Sequence, residues 1–118
     1  MDEKTAHIIK SYLPMSEQSF LMLLCLSEPM HGYGIMQQVS ELTDGRVNLS
    51  PSTVYTLLYK MEVDGLIETV SEIDRRKIYT ITSMGKNLLI AETERLSALL
   101  DFAEGTISKK SSKSVVTV

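Results

Sequence analysis

The chain has 118 residues, 43% of them hydrophobic and 23% charged, enough for one domain with a modest core. Its formal net charge of -3 excludes a broadly basic surface, so any nucleic-acid contact has to come from a local concentration of arginine and lysine. A single cysteine, Cys25, excludes an intrachain disulfide and a cysteine-rich metal site, and reads as a small core hydrophobe in a reducing compartment. No basic leader precedes an apolar run and no apolar run approaches the ~18 residues of a membrane span, so the expected location is the cytoplasm, with no membrane partner and no cofactor.

Residues 1–15 read as an N-terminal helical segment, with Ile8, Ile9, Tyr12 and Leu13 as apolar positions and Pro14 as its close. Too short to bury much alone, it is expected to dock against a neighbour, a second subunit included. Ser16 is a candidate N-cap for the next helix, with Glu17 near the positive end of the dipole. Phe20, Leu21, Leu23, Leu24, Cys25 and Leu26 make that helix apolar nearly all round, the mark of a central one. His31-Gly32-Tyr33-Gly34 opens a third helix to about Leu42, with Ile35, Met36, Val39 and Leu42 inward. Its early glycines suit either approach to a phosphate or close helix packing. No second histidine or carboxylate stands at ligand spacing from His31, which argues against metal or general-base work there. Thr43-Asp44-Gly45-Arg46 is turn chemistry, and Val47 and Leu49 alternate as in a short strand.

Asn48 to Asp64 is the most informative stretch. Ser50-Pro51 is a helix start, because the hydroxyl accepts from free backbone N–H groups and proline at the first position sacrifices no hydrogen bond. Val54, Leu57, Leu58 and Met61 fall at i, i+3, i+4 and i+7, a stripe that requires a core. The opposite face carries Ser52, Thr53, Tyr55, Thr56, Tyr59 and Lys60: hydroxyls, aromatics and one ammonium, with no carboxylate before Glu62. Such a face is either merely solvated or built to enter a DNA major groove by its N-terminal end, hydroxyls to base edges and Lys60 to phosphate.

Gly65 can end that helix in the left-handed conformation. Leu66–Ser71 and Lys77–Thr82 are then two β-rich runs around Glu72-Ile73-Asp74-Arg75-Arg76, a hairpin with Tyr79 and Ile81 on its inward face. Arg75, Arg76 and Lys77 make the tip basic, as in a wing that grips sugar–phosphate backbone, although a solvated hairpin can carry arginines too. Thr82 caps a long helix over 83–105 with Gly105 as its stop. Leu89, Leu96, Leu99 and Ala103, with Glu92 in the same seam and Leu88, Leu100 and Phe102 beside it, exceed what one small domain covers. Self-pairing is the economical solution, packing onto the chain's own core the alternative. Residues 106–118, Ser- and Lys-rich and then Val-Val-Thr-Val, read as a disordered tail.

The fold expected from this order is mainly α with a small β-hairpin: a winged helix-turn-helix domain over 16–82 and a long C-terminal dimerisation helix. The residues themselves resemble the PadR family of bacterial transcriptional regulators, in the runs His31-Gly32-Tyr33-Gly34-Ile35-Met36, Gly45 to Tyr55, Gly65-Leu66-Ile67-Glu68 and Arg76 to Thr82 with Gly85. The likeness covers about Ser16 to Leu89 and is closest to the short members with a single C-terminal helix. It implies a homodimer on a pseudo-palindromic promoter site in double-stranded DNA, acting as a repressor relieved by a small-molecule effector. Thr56 stands where the family commonly has proline and Ser52 where it has glycine. The wing lacks the usual Gly/Pro-rich approach, and without tryptophan an effector site of stacked indoles has no counterpart; Tyr12 or Phe102 can line such a pocket or simply pack. The DNA-facing set is then Tyr33, Ser52, Thr53, Tyr55, Thr56, Tyr59, Lys60, Arg75, Arg76 and Lys77, with Tyr33 near the backbone. The dimer set is Leu89, Leu96, Leu99, Phe102 and Ala103. The alternative is a winged-helix adaptor for protein interaction or small-molecule sensing with weak or non-specific DNA binding. An enzyme has no Ser/His/Asp set, phosphate loop or metal cluster to support it.

Overall fold

The computed structural model describes residues 2–112. Its elements in order are α1 (Glu3–Tyr12), α2 (Glu17–Cys25), α3 (Gly32–Leu42), α4 (Pro51–Val63), β1 (Ile67–Ile73), β2 (Arg76–Ile81) and α5 (Ser83–Ser112). Local chemistry sets the helix starts: the side chains of Asp2, Ser16, His31 and Ser50 accept the N–H groups of Thr5, Ser19, Gly34 and Thr53. Gly65, at φ 81°, closes α4 as expected; its N–H donates to the Glu62 carbonyl and that of Leu66 to the Met61 carbonyl at 2.9 Å.

The core lies where α2, α3, α4 and the root of α5 meet. Met22, Leu23 and Leu26, Ile35 and Val39, Val54, Leu58 and Met61, and Leu66, Ile67 and Leu88 are fully buried there. Cys25 is among the buried residues and burial pushes its thiol up, which suits a small hydrophobe. α2 is central but not buried all round, since Leu24 reaches solvent. α1 docks on α5 of its own chain, with Ile9 buried.

Three expectations are corrected. Val47 and Leu49 form no strand: the Val47 N–H donates to Thr43 Oγ1 at 3.0 Å and the Asn48 amide to the Gly45 carbonyl at 2.7 Å, so the turn absorbs the polar groups a sheet would need, and Leu49 alone sinks into the core. The hairpin loop is two residues, not five. β1 and β2 pair from Ile67 opposite Ile81 to Ile73 opposite Arg76, and Asp74 and Arg75 turn the chain at φ 51° and 65°, the left-handed pair of a primed turn. The last helix does not stop at Gly105 but runs to Ser112. A helical glycine costs only ~1 kcal/mol and no proline follows, so nothing there forces an end. Thus 106–112 are helical rather than a disordered tail; 113–118 lie outside the described residues.

The wing is tied down at its root. Met30 and Tyr79 exchange backbone hydrogen bonds of 3.0 and 2.9 Å, and the Ile81 N–H donates to the Leu26 carbonyl at 2.8 Å. Tyr79 and Ile81 face inward, as their alternation required. The root of α5 is held by Gly85, where a Cβ would collide with the Leu66 carbonyl and stand 2.6 Å from Ile81 Cγ1. Gly85→Ala is therefore expected to destabilise by ~1–3 kcal/mol despite alanine's better helix propensity, measured as a lower midpoint of urea unfolding. An unchanged midpoint would mean that the wing and α5 separate freely.

Beyond Arg95 no described residue of α5 is buried. The helix projects, and the radius of gyration is 17.5 Å where a compact chain of this length would have roughly 13–14 Å.

Candidate nucleic-acid interface

α3 and α4 pack as a helix pair because Gly32 leaves room for an aromatic ring. A Cβ on Gly32 would lie 2.9 Å from the ring and hydroxyl of Tyr55. Close packing is thus the role of that glycine, and it draws Tyr55 toward the start of α3. Tyr55, His31 and Gly32 join Arg75, Arg76, Lys77 and Tyr79 around one cleft of 320 Å3 between α3, α4 and the wing. On the other flank of α4, Ser52, Thr53, Thr56 and Leu57 line a shallow hollow with Ser16 and Gln18. Between the two runs the ridge Ser52, Thr56 and Tyr59, at i, i+4 and i+7 on one face, with Tyr59 73% exposed. Thr53 is partly spent on the cap, since its N–H and hydroxyl both bond Ser50 Oγ.

Charge follows the same division. Among the described residues Arg75, Arg76 and Lys77 make no ion pair, although Glu72 stands opposite Lys77 in the hairpin register. The Arg76 guanidinium lies over the Tyr33 ring, 5.8 Å from its centroid, and Tyr33 is half exposed beside the cleft. Lys60 is not brought into this group. Its ammonium bonds Asp64 Oδ2 at 3.0 Å and the Tyr12 hydroxyl at 3.3 Å, and sits over the Tyr12 ring, which ties the far end of α4 to α1. The Tyr12 hydroxyl donates to Asp64 Oδ2 at 2.6 Å, a bond that holds the Asp64 carboxyl below its ordinary range, with Lys60 adding to it. The same contact and, first, burial push the Tyr12 phenol well up. Arg46 is paired with Glu17 at 2.8 Å on the surface.

The seam on α5 divides at Arg95. Leu88 is fully buried and Leu89, partly buried, packs against the chain's own core, so both contribute to the domain. Glu92 is buried as well: it accepts the Met15 N–H at 2.8 Å and two N–H groups of Arg95, and the Arg95 guanidinium holds its carboxyl below the ordinary range against the opposing effect of burial. Leu96, Leu99, Leu100, Phe102, Ala103 and Ile107 remain exposed on the projecting half.

Sequence reasoning weighs His31 only as a metal ligand or general base, not as a cap or a cleft residue. His31 caps α3 through Nδ1, which accepts the Gly34 N–H at 2.9 Å, and it lines the cleft beside Arg76. The signal was present: an acceptor side chain three residues before Gly34, at the start of an apolar-periodic run. Among the described residues no three His, Cys, Asp or Glu side chains gather as a metal site, and no helix is long and apolar enough to cross a membrane.

Comparison with known proteins agrees with this geometry. The model of the transcriptional regulator PadR-like family matches residues 20–91. An uncharacterized protein X of Lysinibacillus sphaericus is 31% identical over 106 residues, covering 83% of this chain and 94% of its own. Among solved structures, a PadR family transcription regulator from Clostridium difficile R20291 superposes with a TM-score of 0.68 at 23% identity, over 78% of this chain and 99% of that one. A PadR-like transcriptional regulator from Bacillus cereus gives 0.63 at 22% identity, over 86% and 96%. These two share the fold, while the family model spans more than half of the sequence. The chain accordingly belongs to the PadR-like family of transcriptional regulators, DNA-binding proteins and not enzymes.

Proposed function

We propose that the chain is a sequence-specific repressor that binds a pseudo-palindromic promoter site as a homodimer and is released by a small molecule. The observation that carries this reading is the cleft where Arg75, Arg76 and Lys77, without an ion pair among the described residues, stand beside Tyr55, next to a ridge of α4 that has no carboxylate from Ser52 to Tyr59. Ser52, Thr56 and Tyr59 read base edges, Thr53 and Tyr55 flank them, and the wing triad with Tyr33 takes phosphates. Lys60 contributes only after leaving Asp64. A releasing ligand acts from the hollow of 330 Å3 between α2 and α5, where Met15, Phe20, Leu21 and Leu96 stand beside the Glu17–Arg46 and Glu92–Arg95 pairs.

Dimerisation rests on the projecting half of α5, where Leu96, Leu99 and Phe102 with Ala103 form an uncovered apolar stripe. Leu99→Asp combined with Phe102→Asp is expected to give a monomer by sedimentation and to weaken duplex binding by roughly a hundred-fold, because paired recognition helices bind with a raised effective concentration. A double variant that stays dimeric would remove this stripe from the interface. Titration of the purified chain with its own upstream region and with a scrambled duplex tests the function. Tighter binding to the upstream region is expected; equal affinity would favour the adaptor reading.

A further inference from the structure

Among the described residues the His31 side chain bonds and stacks only within its own helix. Its Nδ1 accepts the Gly34 N–H, and a ring nitrogen that accepts carries no hydrogen, so the imidazole is neutral and the proton sits on Nε2. That Nε2–H is not buried away from water and has no partner among the described residues. The ring is well held. Besides the cap, it stacks on Tyr33 with centroids 6.4 Å apart, and the same Tyr33 ring lies beneath the Arg76 guanidinium. His31 and Arg76 also share both hollows on either side of the wing, one with Tyr55, Arg75 and Lys77, the other with Ile73, Asp74 and Ile78. Tyr33 thus fixes a neutral donor and a permanent cation side by side.

We propose that His31 is a DNA-backbone contact: its Nε2–H donates to a phosphodiester oxygen whose charge Arg76 offsets, with Tyr33 as the positioning residue for both. The proposal rests on the DNA-binding reading above and adds a residue to it. A neutral, rigid donor contributes direction without charge, so it sets how the first turn of α3 sits against the strand and not how strongly the chain is drawn to the duplex. The cap engages the Gly34 N–H, and the proposed contact is made by the opposite ring nitrogen of the same side chain.

Replacement by serine or asparagine separates the two roles of this ring. Both are better N-caps than histidine and lack Nε2–H, so His31→Ser and His31→Asn are expected to melt at or above the wild-type temperature. Fluorescence anisotropy with the upstream duplex and a scrambled one should show about ten-fold weaker binding to both, the loss of one hydrogen bond to a charged group. Plotted as log affinity against log salt, their lines should run parallel to wild type, whereas Arg76→Ala should flatten the slope by ~0.9. Wild-type affinity in a variant that melts normally would overturn the proposal, and so would a flattened line for His31→Ser, which would mean a charged imidazole and a broken cap. Inorganic phosphate at matched ionic strength is expected to compete equally against wild type and variant; preferential competition against wild type would make this a free-anion site instead. If wild type binds neither duplex, the proposal falls together with the reading beneath it, whereas binding by wild type and unchanged binding by the variants removes His31 alone.

Discussion

Replacing Arg75, Arg76 and Lys77 together by alanine is expected to weaken binding to every duplex alike, by roughly a hundred-fold at low salt, with a loss of ~0.9 in the log affinity against log salt slope for each phosphate contact removed. The expectation follows from the absence of ion pairs on these three among the described residues. Cations not already neutralised release counterions from DNA in full, whereas Arg46 is held by Glu17 and Lys60 by Asp64. Arg46→Ala should therefore move the slope less than any one of the wing residues. The fold should survive the triple change, because all three side chains are exposed and the two-residue turn is set by backbone conformation at Asp74 and Arg75. A triple variant with the wild-type slope would take the wing off the DNA. Selective weakening at particular base pairs would instead assign the wing to base reading.

Arg95→Met is expected to bring a large loss of stability. It leaves the Glu92 carboxylate, whose side chain is 2% exposed, with the Met15 N–H as its remaining donor. Stranding a buried carboxylate costs about 3 kcal/mol here, the low end of the range for a broken buried pair because water reaches the Arg95 side, and lowers Tm by on the order of 10–15 °C. The pH dependence distinguishes this from lost packing. In the wild type the Glu92 carboxyl lies below its ordinary value of 4.5, so the pair's contribution is complete above that pH and is lost as pH falls through the lower folded value. Without Arg95, burial raises the folded value instead, and the penalty is present at neutral pH and fades as the carboxyl takes up a proton. The gap between wild type and Arg95→Met should thus narrow from pH 7 toward about pH 4. A gap of equal size at both would assign the loss to the arginine stem packed on α5. Glu92→Gln should cost less than Arg95→Met, since the amide keeps an acceptor for Met15 and strands no charge.

Features decided within a turn of chain were legible from the residues. Ser16, Ser50 with Pro51 and Gly65 act through groups a few positions away, and each caps the helix it announced. The alternation that placed Tyr79 and Ile81 inward needed only a period of two. The misreadings arose where a distant partner or an unusual backbone state decided the outcome. Asp74 and Arg75 both take left-handed conformations that glycine or asparagine would have advertised, so the turn looked like a longer loop. Val47 and Leu49 have the spacing of a strand, but Thr43 and Gly45 absorb their neighbourhood's polar groups. Gly105 looked like a stop because glycine often is one, yet it sits in plain helix with open space around it.

The candidate site was legible as a list of residues and not as a geometry. Periodicity put Ser52, Thr56 and Tyr59 on one face of α4, but could not foresee that Tyr55 would turn aside to fill the space over Gly32. Nor could it foresee that Lys60 would reach Tyr12, 48 residues away in sequence; its i, i+4 pairing with Asp64 was open to the spacing and was missed. The α5 seam reads as continuous from Leu89; tertiary packing cuts it at Arg95, because the root of the helix completes the core while no described residue of the chain buries the projecting half.

The claim on which the rest depends is that two copies present paired α4 helices to one face of a duplex. Selecting bound duplexes from a random pool with the purified chain tests it most directly. The expected product is an inverted repeat whose half-site centres lie about 34–36 Å apart, one turn of DNA, or a small multiple of that. Enrichment of a single asymmetric half-site, or no enrichment at all, would contradict it.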